Sequence, residues 1–64
     1  MEKIQIASNV YESLSNKRFL AMKMCEDLEV AKSFEEKEKI RLAISSIIDE
    51  IKSLQKLYFE IVKS

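Results

Sequence analysis

Sixty-four residues with eleven basic and eleven acidic side chains give one small, formally neutral unit. A chain of this size buries only about 60% of the surface its unfolded form exposes, so it needs a disulfide, a metal or association to be firmly stable. A lone cysteine, Cys25, excludes an intrachain disulfide, and the absence of histidine leaves a poor donor set for zinc or iron; no cofactor or metal is expected, and association remains.

Glycine and proline are both absent. These residues supply tight turns, bulges and phosphate-cradling loops, so an all-β fold and a glycine-rich nucleotide loop are disfavoured. An apolar fraction of 47% is too high for a disordered chain, and a charged fraction of 34% suits helices with one dry stripe and wet outer faces. The charges are also even along the chain. Residues 1–32 carry five of each sign and residues 33–64 six of each, which disfavours nucleic acid and anionic membrane as partners. No apolar run approaches the ~20 residues of a membrane span. Met1-Glu2-Lys3-Ile4-Gln5 lacks the features of a secretory leader, so a soluble, cytoplasmic protein is expected.

The first predicted element is a helix over about 2–31. Ala7, Val10, Leu14, Lys17, Ala21, Met24, Leu28 and Ala31 recur at spacings of 3 and 4, the a and d positions of a heptad repeat. Ile4, Tyr11 and Cys25 flank this seam on one side, Ile6 and Leu20 on the other. Ser15-Asn16-Lys17-Arg18 is the one place that reads as a loop. The heptad phase is unchanged across it, however, and a helix starting at Asn16 would put Lys17 and Arg18 at its positive end. One continuous helix is the better reading. Lys17 occupies a seam position, where it either extends outward to water or reaches Asp49 or Glu50 on a facing helix.

The turn falls at about 31–34. Ser33-Phe34-Glu35-Glu36 has the form of a capping box, with Ser33 as N-cap and Glu36 three residues on. A second helix then runs over about 34–63. Its seam of Ile40, Ile44, Ile47, Ile51, Leu54, Tyr58 and Ile61 is spaced 4, 3, 4, 3, 4, 3 without a break, widened by Ile48, Leu57 and Val62. Two helices of ~30 residues are each ~45 Å long, and so short a connection makes them antiparallel. The fold expected is therefore an all-α, two-helix antiparallel hairpin.

Two helices alone leave each stripe wet on one side, an aggregation hazard in an isoleucine-rich chain. Pairing of two hairpins into a homodimeric four-helix bundle is the economical solution, with assembly onto a different protein as the alternative. Its expected core is the second-helix seam together with Val10, Leu14, Met24 and Leu28.

The usual catalytic constellations are hard to build without histidine. Glu26, Asp27, Glu29, Glu35, Glu36 and Glu38 gather near the turn, where solvated helix-end charges account for them. Cys25 reads as a small, half-buried hydrophobe. Ser45-Ser46-Ile47-Ile48-Asp49 resembles the Ser-Gln-x-Leu-Asp motif of the small helical-hairpin phosphatases that act on the sporulation response regulator of bacilli. The resemblance implies an aspartyl-phosphate phosphatase carried by Ser45 and Asp49; Ser46 stands where that family has glutamine. The overall shape is similar to the plasmid repressor-of-primer family, dimers of helical hairpins that bind paired RNA loops. The outer face of the first helix, with Gln5, Asn9, Glu12, Asn16, Phe19 and Lys23, is the corresponding surface.

Long presented helices without catalytic or ligand-cradling groups point first to a non-enzymatic protein–protein interaction module, a homodimeric adaptor or regulator. Phe19 and Met22 fall at the outward f and b positions of the first heptad frame. Leu42 falls at f on the second helix, roughly level with Lys23. With Arg18 and Lys23 as a basic rim, these residues form the candidate surface for a protein partner.

Overall fold

The computed structural model describes residues 2–63 and contains two α-helices, α1 (Glu2–Val30) and α2 (Phe34–Lys63), packed side by side. α1 is unbroken through Ser15–Arg18, as the unchanged heptad phase requires. The helix ends one residue earlier than its periodicity suggests. Residues 31–33 make the connection, and no described residue adopts a positive φ, so the reversal is made without a left-handed residue.

Ser33 organises that reversal. Its Oγ accepts the Glu36 amide N–H at 3.1 Å and its carbonyl accepts the Lys37 N–H at 3.1 Å. The first of these satisfies a donor that the opening turn of α2 would otherwise leave unmade. Glu35 and Glu36 add negative charge at the positive end of that helix. Ser33→Ala is expected to cost about 1 kcal/mol, read as a lower urea midpoint at unchanged m-value. An unchanged midpoint would show that the cap is dispensable.

Helix termini also explain an asymmetry at the turn. Glu26, Asp27 and Glu29 close α1, whose last turn holds no basic residue. Their charge therefore opposes the dipole of α1, while Glu35 and Glu36 complement that of α2.

Two contacts across the hairpin fix its register. Tyr11 lies against Tyr58 with ring centroids 5.9 Å apart, and Lys17 Nζ meets Glu50 Oε2 at 2.8 Å. This register sets Val10 level with Tyr58, Leu14 with Leu54, Ala21 with Ile47, Met24 with Ile44 and Leu28 with Ile40. Val10 and Ala21 of α1 thus face the larger Tyr58 and Ile47 of α2, while Leu14, Met24 and Leu28 meet side chains of similar size.

The seam residues are buried or half-buried on both helices: Ala7, Val10, Leu14, Lys17, Ala21, Met24, Leu28 and Ala31 on one, and Ile40 to Ile61 at their heptad spacings on the other. Full burial is rare. Among the described residues only Leu14 (4% exposed) and Ile47 (8%) belong to a closed core. The flanking Ile48, Leu57 and Val62 remain exposed because a third layer to cover them is not supplied by the hairpin itself.

The molecule is correspondingly thin, 49 × 14 × 11 Å. Its radius of gyration is 14.8 Å, against about 11 Å for a compact domain of this length. Its accessible surface is 5266 Å². A folded monomer of 7.5 kDa ordinarily exposes about 4,250 Å², so the hairpin carries an excess of about 1,000 Å².

Candidate interaction surface

The register divides the surface into two flanks and two outer faces. One flank is built by the e and b positions of both heptad frames. Ile4, Tyr11, Arg18 and Cys25 come from α1 and Ile48, Gln55, Phe59 and Val62 from α2. Toward the open end it carries an aromatic cluster. Tyr58 contacts Tyr11 at an interplanar angle of 52° and meets Phe59 edge-on, centroids 6.0 Å apart at 72°. Tilted and edge-on pairs are the arrangements that ring quadrupoles favour.

Two grooves border this cluster. Ile4, Ala7, Ser8, Tyr11 and Tyr58 line one. The other runs between Arg18 and Phe59, floored by Leu14 and Tyr58. Phe59 was invisible to periodicity because it stands one residue off the α2 seam. The signal that finds it is the cross-helix register, which brings Tyr11 against Tyr58 and so sets the neighbouring Phe59 on the groove that Tyr11 also lines.

The opposite flank is polar at its centre. Ser46, Asp49, Glu50 and Ser53 line a groove with Lys17 and Leu54. Lys17 leaves the seam here to reach Glu50, and the choice over Asp49 is geometric. Glu50 borders the seam at a g position, whereas Asp49 points outward at f. Both partners of the pair are substantially wet, so its contribution is at most about 1 kcal/mol. Its use is to carry a charged side chain out of an apolar seam in one register. Toward the ends this flank also exposes Ile6, Leu20 and Leu57.

The candidate partner residues are separated by the fold. Phe19 and Met22 stand one turn apart on the outer side of α1, each almost two-thirds exposed at 63% and 64%. Arg18 lies toward the aromatic flank and lines its second groove; Lys23 is on the other side of Phe19 and exposed. Leu42 is exposed too, but it projects from the outer face of α2, on the far side of the hairpin. It is level with Glu26 rather than Lys23, and so joins no single patch with Phe19.

Three further residue groups have clear positions. Cys25 is exposed rather than half-buried, because it lies on a flank that a single hairpin leaves uncovered. The turn carboxylates do not converge: among the described residues no three acidic or cysteine side chains are grouped to hold a metal ion. Ser45 and Asp49 are both exposed on α2, but only Asp49 lines the polar groove, with Ser46 rather than Ser45 beside it.

The outer face of α1 presents Glu12, Asn16, Phe19 and Lys23, all exposed, and Gln5 Nε2 donates to Asn9 Oδ1 at 3.2 Å. Among the described residues no helix is long and apolar enough to cross a membrane. Comparison of the chain with protein-family models, with characterised proteins and with solved structures gives no match.

Proposed function

We propose that this chain is a non-enzymatic, cytoplasmic protein–protein interaction module: a hairpin that pairs with a second copy into a four-helix bundle and presents its outer helical faces to another protein. The observation that carries this reading is the surface excess of about 1,000 Å² over a normal folded monomer. A stable interface takes about 800 Å² from each partner. The excess is thus what one intermolecular contact removes, and large apolar side chains such as Ile4, Ile48, Phe59 and Val62 are exposed to be covered by it. The hairpin has used its own seam internally, so a partner must cover the flanks.

Phe19 and Met22 are the outward residues left for a different protein, with Arg18 and Lys23 as their basic edge. Aromatic, methionine and arginine side chains are enriched in interface cores. The phosphatase reading has less support, since Ser45 and Asp49 share no groove. RNA binding has less as well, since Glu12 and Glu26 share the outer face of α1 with its amides.

Sedimentation equilibrium at micromolar concentration should give twice the 7.5 kDa chain mass. The double variant Phe19→Ser/Met22→Ser should keep that mass and its helical circular dichroism. It should lose whatever protein the wild-type chain retains from an extract of its native host. A variant that melts would place those side chains in the bundle core, and one that retains the same protein would remove them from the partner surface.

A further inference from the structure

Taking the homodimer as given, we infer that the second copy docks on the aromatic flank, with the open ends of the two hairpins together. Two flanks compete for this role, and they differ in chemistry. The aromatic flank offers Ile4, Tyr11, Ile48, Phe59 and Val62, all large and exposed, around half-buried Tyr58. The opposite flank places the Lys17–Glu50 pair, Ser46, Asp49 and Ser53 at its centre. Covering that centre would desolvate an ion pair that water now shares; covering the aromatic flank removes mainly hydrocarbon from water.

The orientation follows from what lies at each height. A two-fold axis running parallel to the helices stacks α1 of one copy on α2 of the other with heights preserved. Phe59 then arrives level with Asn9 of the facing α1, over the groove formed by Ile4, Ala7, Ser8 and Tyr11. Symmetry repeats the fit on the other side, so one knob and one hole serve both halves of the interface. The reversed orientation instead brings each aromatic cluster against the charged turn of its neighbour. It also places Arg18 opposite Arg18 on the stacked α1 helices. In the favoured arrangement Phe19 and Lys23 stay outside the interface and Met22 sits at its rim, while Arg18 is covered with the aromatic flank.

Ile48 and Leu57 give a matched pair for the test, because they are equally exposed at 41% and 43% but lie on opposite flanks. Sedimentation equilibrium should show wild type and Leu57→Glu as dimers. Ile48→Glu should be weakened by about a hundredfold or more, the scale of an unpaired charge enclosed in an interface. A monomeric wild type would overturn the homodimer itself. A dimeric wild type with Leu57→Glu as the weakened variant, or with both variants equally weak, would overturn the flank assignment alone.

Orientation is read separately by cross-linking Ser8→Cys in a Cys25→Ser background with a long, flexible bis-maleimide able to span the bundle diagonal on which the two α1 helices lie. Open ends together place the two introduced thiols at one height, and a covalent dimer is expected. Open ends apart would separate them by roughly 30 Å at 1.5 Å per residue; failure to cross-link a dimer of confirmed mass would overturn the shared orientation.

Discussion

Ile47→Asp is expected to leave the chain largely unfolded at 25 °C, with both the helical circular dichroism and any associated mass lost. Ile47 is one of only two buried side chains among the described residues, at 8% exposure, and faces Ala21 across the seam. Removing its hydrocarbon costs about 2–5 kcal/mol by analogy with large-to-small core substitutions. An uncompensated carboxylate left in that position adds several kcal/mol more. A chain this short has a total stability of about 3–10 kcal/mol, and a hairpin with so thin a core lies at the low end. The sum of the two costs exceeds it. Lys56→Asp supplies the control, since it introduces the same group at an exposed outward position of the same helix. Wild-type helicity and an unchanged urea midpoint for Ile47→Asp would show that the seam does not hold the hairpin together.

Thermal stability should fall on dilution, with a melting temperature about 10 °C lower at ~1 μM than at ~100 μM. The shift has a simple origin. When folding and association are one event, a hundredfold dilution removes about 2.7 kcal/mol per dimer. Two chains of this length gain an unfolding entropy of about 0.27 kcal/mol/K near the midpoint, and the ratio gives the temperature change. The physical motive is the imbalance between one internal seam and the exposed flank residues such as Ile48, Phe59 and Val62. A midpoint independent of concentration, at full helicity, would mean that the hairpin is stable alone and that its surface excess is not covered by another copy.

Local order was legible in the chain because it depends on near neighbours. The 3-and-4 spacing named the seam residues from Ala7 to Ala31 and from Ile40 to Ile61, and all of them are buried or half-buried in the packed hairpin. The Ser33 cap was readable for the same reason: donor and acceptor are three residues apart and the bond forms at 3.1 Å. The continuity of α1 through Ser15–Arg18 followed from phase, since an inserted loop would have broken it.

What periodicity cannot carry is the relation between the helices. A heptad frame says which way a side chain leaves its own axis, not which residue of the other helix it meets. Register comes from the length and path of residues 31–33 together with the cross-helix contacts of Tyr11 with Tyr58 and Lys17 with Glu50. That register decided that Lys17 meets Glu50 rather than Asp49. It brought Phe59 into a cluster with Tyr58 and Tyr11. Packing of the two helices against each other also sent Leu42 and Phe19 to opposite outer faces, because f positions on two neighbours point away from each other. The sequence by itself determined two amphipathic helices and the turn between them. Which side chains of the two helices meet along each flank was decided only when packing set the register, since a flank is composed of side chains from both helices.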